Sequence, residues 1–208
     1  MTESREMPMF PLGLTLVPGA LLPLYLFEDR YLQLYEDIVA GDREFGVVLI
    51  ERGTELNDQN KTFSVGCVAQ LLGSGIHENG SISIVTEGRQ RFRVLEWRTP
   101  DPYPIAIVEL LPQDQPTEVG AARLAKAISR LPDLLEAAAR LDTSIGTEVP
   151  AFSDDLSVAT FQLAQLCGPQ TLDLQRILEG PTADIRVGLV AELLEEQIEL
   201  IELQIGMS

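Results

Sequence analysis

The sequence predicts an α+β protein in which a β-barrel precedes a bundle of helices. As far as Pro112, short apolar and β-branched runs alternate with Gly, Pro and Asn, which is typical of strands and turns. Beyond Pro112, apolar residues recur at the spacing of helical turns. Strands followed by helices indicate an α+β arrangement. We place the domains at residues 1–112 and 113–208, with residues 113–119 as the linker.

Five strands are predicted in the first domain. They are residues 45–51, 65–72, 81–85, 89–97 and 104–111. Asn79 and Gly80 lie between two of these strands and predict a hairpin loop over residues 77–80, because both residue types accept a positive φ. Short strands at hairpin spacing suggest a closed or nearly closed barrel, which also removes exposed strand edges.

One helix is predicted among the strands. Tyr31, Leu34, Tyr35 and Ile38 lie at positions i, i+3, i+4 and i+7, so they form a single apolar face. Gly41 is expected to end this helix as its C′ residue.

The second domain is predicted to contain short helices and one long one. Leu124, Ile128 and Leu131 form an apolar stripe that Pro132 is expected to end, so residues 133–141 are predicted as a separate short helix. Three further helices are predicted over residues 153–166, 169–179 and 181–205. Polar residues at 153–155 supply the N-cap candidates of the first of these, and Gly180 closes the second.

The charge and hydropathy of the chain exclude several classes of partner. Its 208 residues include 32 acids and 15 bases, a formal net charge of −17. Binding to nucleic acid or to an anionic membrane depends on Lys and Arg that neutralise phosphates, so neither is an expected partner. The apolar run at residues 20–27 is far shorter than the roughly 20 residues that span a bilayer. The N-terminus lacks the apolar region of a secretory signal. We expect a soluble, cytoplasmic protein.

The sequence presents no convincing catalytic, cofactor-binding or metal-binding residues. Cys67 and Cys167 are too far apart for a metal or redox motif, and two reduced thiols are favoured over a disulfide. Residues 75–82 have the glycine spacing of a phosphate-binding loop but lack its lysine. His77, the one histidine, is interpreted as a solvated loop residue, although its pairing with either thiol as a nucleophile and base stays an alternative. Neither lysine stands in a context that suggests catalysis with serine.

Two features are candidates for binding. Arg89, Arg91 and Arg93 alternate with other residues, so they are predicted to form a basic ridge on one strand face that binds acidic or carbonyl groups of a polypeptide. The alternative, which we favour, is a solvated face neutralised by neighbouring acids. Residues 10–27 are apolar and proline-rich. They form either a groove that binds extended hydrophobic segments or part of the core, and we favour the core for most of them. Tyr25 and Tyr31 are the candidates for exposure.

Three passages carry a resemblance to a known family. Residues 9–19 (MFPLGLTLVPG) and 22–31 (LPLYLFEDRY) are similar to the opening of the Lon protease amino-terminal domain, with its spacing F-P-L-x-x-x-x-x-P-G. Residues 65–70 (VGCVAQ) and 85–94 (VTEGRQRFRV) resemble the strand pair of that domain, and residues 172–179 (LDLQRILE) its closing helices. The loop at residues 52–62 departs from the family pattern.

The resemblance extends over residues 7–205 and implies both fold and function. The fold implied is a PUA-like barrel of about six strands followed by a helical bundle. The function implied is substrate recognition without the ATPase and the Ser-Lys peptidase that follow this domain in Lon. We therefore expect a non-catalytic module that binds unfolded or degron-bearing polypeptides, with a protease or chaperone in trans and without a cofactor. A hydrolase and a small-molecule sensor or scaffold are the alternatives, and the oligomeric state is not predicted.

Overall fold

A computed structural model describes residues 4–52 and 61–207 of the chain. The chain divides into two compact units, Met1–Gln113 and Asp114–Ser208. Most of the loop that departs from the family pattern, residues 53–60, lies outside the described residues.

The first unit consists mainly of β-strands. Within its described residues there are seven strands and one helix. They are β1 (Ser4–Leu12), β2 (Leu21–Leu26), α1 (Asp29–Ala40), β3 (Glu44–Arg52), β4 (Lys61–Thr62), β5 (Val65–Ile76), β6 (Ile82–Trp97) and β7 (Ile105–Leu110).

Five of these strands close into a ring. Strands β1, β7, β6, β5 and β3 pair antiparallel in that order. Strand β1 also pairs in parallel with β3, from Met9 opposite Gly46 to Leu12 opposite Leu49, and this pairing closes the ring. Strand β2 pairs with the first half of β6, and β4 extends β3. The predicted α+β fold with a barrel is confirmed.

The number and limits of the strands differ from the prediction. The segments predicted as separate strands at residues 81–85 and 89–97 are one continuous strand, β6. Strands β1 and β2 were not predicted, because Pro8, Pro11 and Pro23 interrupt their patterns. Pro8 lies in the part of β1 that pairs with β7, and Pro11 lies in the part that pairs with β3. Each part therefore has a partner strand along one edge only, and a proline is tolerated at the other edge.

The interior of the ring is apolar. A cluster of buried residues takes members from all five ring strands: Met7, Met9, Val48, Val68, Phe92, Ala106 and Val108. Two glycines make room for the Phe92 ring. A Cβ on Gly66 would lie 2.6 Å from Phe92 Cζ, and one on Gly46 would lie 2.9 Å from it. The V-G motif of β5 is therefore explained by packing inside the barrel.

Helix α1 packs against a second apolar cluster on the other face of the strands. Tyr31, Leu34 and Ile38 are its buried residues, as the sequence pattern predicts. The helix ends at Ala40 with Gly41 as its C-cap, so the predicted end is confirmed, although Gly41 has a φ of −112° and is not left-handed. The left-handed residue is Arg43, with a φ of 63°. The N–H groups of Gly41 and Arg43 both donate to the carbonyl of Ile38, which ends the helix without a left-handed glycine.

The second unit is helical. Its described residues form α2 (Glu118–Leu141), α3 (Leu156–Leu166), α4 (Thr171–Glu179) and α5 (Ala183–Met207). The predicted break at Pro132 is wrong, because α2 continues through it. Pro132 removes one backbone donor, whereas the apolar face on both sides of it, including Leu124, Leu131 and Leu134, stays buried. This burial outweighs the lost hydrogen bond.

The predicted starts and ends of the later helices agree with the structure to within three residues. Asp155 is the N-cap of α3, where its carboxylate accepts hydrogen bonds from the N–H groups of Ser157 and Val158 at 2.9 and 3.2 Å. Gly180 is the C-cap of α4. No helix among the described residues has the length and apolar character needed to cross a membrane.

Candidate functional site

The outer face of β2, β6 and β5 carries exposed apolar side chains. Side chains directly opposite each other in a sheet lie on the same face. The register forms three rows: Leu21 with Glu87; Pro23 with Val85 and Gly73; and Tyr25 with Ser83 and Gly75. Leu21, Tyr25 and the following Phe27 are 65%, 52% and 63% exposed, which is unusual for such large apolar groups in one place.

Strand β5 presents glycines, and therefore exposed backbone, on this face. A Cβ added to Gly73 or Gly75 would find no atom within 4 Å, so the backbone of β5 is accessible there. Leu72 lies in a bulge beside Gly73 and is exposed. We call this surface the apolar strip. It consists of Leu21, Pro23, Tyr25, Phe27, Leu72, Gly73, Gly75 and Val85.

A hydrogen-bond network holds Tyr25 in place at one end of the apolar strip. The Tyr25 hydroxyl lies 2.5 Å from Ser81 Oγ, Ser81 Oγ donates to Asn79 Oδ1 at 2.6 Å, and Asn79 Nδ2 donates back to Tyr25 Oη at 3.3 Å. The hydrogen bond from Asn79 lowers the pKa of Tyr25 most, and the one with Ser81 lowers it further. The rings of Phe27 and His77 lie 6.2 and 5.6 Å from the Tyr25 ring. The aromatic end of the strip is therefore preorganised.

The free edge of β2 is poorly suited to pairing with another strand. Gly88 N donates to Ala20 O, and Thr86 Oγ1 donates to Leu22 O, so these carbonyls point towards β6. Main-chain groups alternate between the two edges of a strand, so those of Pro23 point to the other edge. Within the described residues β2 pairs with β6 alone. Pro23 lacks an N–H at this edge, so a strand added here would lose one main-chain hydrogen bond.

The predicted basic ridge is not formed by three exposed arginines. Arg91 is only 6% exposed, and its guanidinium lies 3.5 Å from the carbonyl of Pro112. Arg89 and Arg93 are exposed, and each pairs with an acid, Glu87 at 3.0 Å and Glu109 at 3.8 Å. The arrangement matches the alternative of a strand face neutralised by neighbouring acids.

A β-bulge explains why the alternation fails. Gly88 lies opposite Ala69 and Arg91 lies opposite Cys67, so three steps along β6 correspond to two along β5. The extra residue changes the face to which the following side chains point. Arg89 therefore lies on a different face from Arg91 and Arg93, which both follow the bulge and share one face.

The two tyrosines have different environments. Tyr25 is exposed, as expected, whereas Tyr31 is 4% exposed and stacks on Phe10 with ring centroids 3.9 Å apart. The Arg30 guanidinium lies 4.7 Å from the Tyr31 ring centroid. Tyr31 is thus a core residue and is not available for binding. Half of residues 10–27 are buried and six are exposed, so the favoured interpretation as core holds for about half of them.

The thiols and the histidine have environments that do not suggest a nucleophile and its base. Burial raises the pKa of Cys67 well above its usual value and that of Cys167 to about 12, the opposite of an activated thiolate. Both cysteines are free. His77 is exposed, and its Nε2 lies 2.7 Å from Ser83 Oγ. Among the described residues there is no group of acidic, histidine and cysteine side chains that could hold a metal ion.

Sequence reasoning missed most of the apolar strip. Residues 21–27 read LLPLYLF, and this run was assigned largely to the core. In the structure, Leu22 and Leu26 face the core while Leu21, Tyr25 and Phe27 face outwards. The signal for an exposed apolar surface was a strand that is apolar on both faces. A strand with one buried face needs apolar residues on that face only.

Comparison with known proteins identifies the family. Residues 6–196 match the family described as the ATP-dependent protease La (LON) substrate-binding domain. The chain belongs to this family. Curated relatives of this Lon-family chain include Lon protease of Cytophaga hutchinsonii, 25% identical over 95% of the chain, and Lon protease of Anaeromyxobacter dehalogenans, 29% identical over 95%. The chain covers 25% and 24% of their lengths, so it spans about a quarter of these proteases.

Solved structures show the same fold. A Lon N-terminal domain protein from Xanthomonas campestris matches 88% of the chain and 95% of its own length, with a TM-score of 0.63 and 23% identity. The N-terminal domain of Mycobacterium avium complex Lon protease matches 92% of the chain and 99% of its own length, with a TM-score of 0.64 and 16% identity. The Lon N-terminal fold expected from the sequence motifs is confirmed.

Proposed function

We propose that this chain is a non-catalytic polypeptide-binding module that holds unfolded or degron-bearing segments on the apolar strip. The observation that carries the proposal is the exposure of Leu21, Tyr25 and Phe27 on one strand and its extension. Membership of a substrate-binding domain family supports the same class of ligand. Unfolded polypeptides differ from folded ones in displaying large apolar side chains, and these are what the strip is able to bury.

The shape of the apolar strip favours an extended ligand. Strands β2 and β6 present Leu21, Pro23 and Val85 next to the bare backbone at Gly73 and Gly75, which gives an open, shallow surface. Each large apolar side chain fully buried there contributes about 1.5–3 kcal/mol. Ordering an unfolded ligand offsets much of this gain, so we expect weak binding that tolerates many sequences.

The charge of the protein adds a preference among unfolded ligands. The formal net charge of −17 attracts positively charged segments and repels acidic ones at long range. Ligands that combine Lys or Arg with apolar residues should therefore associate faster, and salt should reduce this advantage.

The proposal includes partners and a location. We propose that the module acts in the cytoplasm as an adaptor in protein quality control, where it presents bound segments to a protease or chaperone in trans. Two free, buried thiols are compatible with a reducing compartment. Purification of the tagged protein from its own cells should recover unfolded clients together with such a partner.

The test compares two leucines of equal exposure. Leu21 in the strip and Leu203 on α5 are both 65% exposed. We expect the variants Leu21→Ser and Phe27→Ser to weaken the binding of fluorescent casein, an unstructured protein, by about fivefold or more. Leu203→Ser should bind casein as the unchanged protein does. Equal binding by all three variants would show that the strip is not the site.

The alternative of a hydrolase is tested with the same substrate. Casein incubated with the purified protein, with and without ATP, should remain intact. Cleavage that is lost in His77→Ala or Cys67→Ser would overturn the proposal of a non-catalytic module.

A further inference from the structure

A cavity of about 490 Å³ opens at one end of the barrel. It lies entirely within the first unit, and each of the five ring strands contributes to its lining. The residues are Arg5 of β1, Glu44 of β3, Val68 and Gln70 of β5, Arg89 and Gln90 of β6, and Leu110 of β7, with Gln113 beyond it. A cavity that all ring strands surround is the mouth of the barrel, a common place for ligand sites.

The mouth presents hydrogen-bond donors from two arginines. The Arg89 side chain is about half exposed and pairs with Glu87, which leaves the other edge of its guanidinium for a ligand. Arg5 donates to Glu44 Oε2 at 2.5 Å, while its Nε is buried without an acceptor. The exposed arginine donor at the mouth is therefore that of Arg89.

The mouth also presents acceptors. Gln70 Nε2 donates to the carbonyl of Arg43 at 3.0 Å, and Gln90 Nε2 donates to the carbonyl of Leu111 at 2.7 Å. Both amide nitrogens are thereby held by the backbone, which fixes the orientation of each amide and leaves its Oε1 as an acceptor. The half-buried Leu110 adds apolar surface beside these polar groups, whereas Val68 is only 2% exposed.

The local charge of the mouth is balanced, whereas that of the whole protein is strongly negative. Arg5 pairs with Glu44 and Arg89 with Glu87, in a chain with a formal net charge of −17. A ligand that overcomes the general repulsion of anions must gain specific hydrogen bonds, and an arginine fork with a carboxylate is a strong pairing of this kind.

We propose that the mouth of the barrel binds the carboxyl terminus of a polypeptide. Arg89 holds the terminal carboxylate, Gln90 and Gln70 accept the N–H groups of the last residues, and the last side chain packs on Leu110. This proposal rests on the proposed function, since it assumes a polypeptide ligand. It adds a second site, which recognises the carboxyl end of the ligand and not its apolar side chains.

The experiment uses two forms of one peptide with the 208-residue protein. A ten-residue apolar peptide labelled at its N-terminus is prepared with a free carboxyl terminus and with a terminal amide, and binding is measured by fluorescence anisotropy. We expect the free acid to bind about tenfold more tightly than the amide. Equal binding of the two forms would overturn the proposal.

Arg93 provides a matched control for Arg89. The two side chains lie on the same strand and are both 52% exposed, and both pair with a glutamate, but Arg93 does not line the mouth. Arg89→Gln should abolish the preference for the free acid, and Arg93→Gln should preserve it. Equal losses in both variants would mean that overall charge, and not the mouth, attracts the carboxylate.

A measurement on the unchanged protein covers the case in which Arg89→Gln fails to fold. In heteronuclear NMR spectra, the free-acid peptide should shift the resonances of Arg89, Gln90 and Gln70 more than the amide does. Shifts confined to the apolar strip would overturn the mouth proposal and leave the proposed function standing. If casein fails to bind as well, the proposed function fails independently of this result.

Discussion

Asp114 and the buried Arg186 form an ion pair in the second unit. Asp114 Oδ1 lies 2.6 Å from Arg186 Nη2, and Arg186 is only 1% exposed. The other carboxylate oxygen accepts a hydrogen bond from Ala183 N at 2.5 Å, and Arg186 Nη1 donates to the carbonyl of Gly180 at 2.9 Å. The pair thus fastens residue 114 to the start of α5.

Removal of the carboxylate should destabilise the protein. Asp114→Ala leaves the buried Arg186 guanidinium without its counter-ion, and we expect the free energy of unfolding to fall by about 3 kcal/mol. Urea denaturation followed by circular dichroism measures this change. Glu192→Ala, which removes an exposed partner of Arg123, should have a much smaller effect, because solvent screens that pair.

The same pair predicts a dependence of stability on pH. Burial alone would raise the pKa of Asp114, but hydrogen bonds from Arg186 and Ala183 N outweigh it and hold the pKa below its usual value. A carboxyl group whose pKa is lower in the folded state contributes its full stability above the unfolded pKa of about 3.9, and this stability is lost as the pH falls further. The difference in unfolding free energy between the unchanged protein and Asp114→Asn should therefore shrink from pH 6 to pH 2.5. A constant difference would contradict the argument.

Two glycines of β5 should respond differently to an added methyl group. Gly66→Ala places a Cβ against Phe92 inside the barrel, and we expect a loss of about 1–3 kcal/mol in the free energy of unfolding. Gly73→Ala meets no atom within 4 Å and should be neutral or slightly stabilising. Thermal or urea denaturation distinguishes them, and equal effects would place Gly66 outside the barrel interior.

The thiols should be unreactive while the protein is folded. Burial raises the pKa of Cys167 to about 12 and that of Cys67 further, so neither forms a thiolate near neutral pH. Treatment with a disulfide reagent at pH 8 should label neither thiol in buffer and both in guanidinium chloride. Fast labelling of the folded protein would show that one of them is accessible.

The first unit should fold as an isolated fragment. The two apolar clusters of the barrel, including Leu34 of α1 and Phe92 of β6, lie entirely within residues 1–113. We expect a fragment of these residues to show a cooperative thermal transition by circular dichroism. A fragment without such a transition would contradict the proposed division into domains.

Particular residues show where prediction from the sequence succeeded. The N-cap at Asp155, the hairpin at Gly80 and the buried face of α1 were predicted, because each depends on a few neighbouring residues. The motifs of residues 9–31 were sufficient to recognise the family. Prediction failed at Pro132, where packing over a whole helix outweighs the local preference of proline, and at Pro23, where the free edge of β2 tolerates a proline.

Local sequence patterns were enough to predict the α+β class, a strand-rich part before a helical part, and the Lon-type motifs. Tertiary structure was needed to establish that Arg91 and Tyr31 are buried, that Leu21 and Phe27 are exposed, and that five strands surround a polar mouth. These features depend on which distant strands pair and in what register. A single extra residue in a bulge turns the following side chains to the other face of the sheet. No local sequence pattern indicates where such a bulge forms.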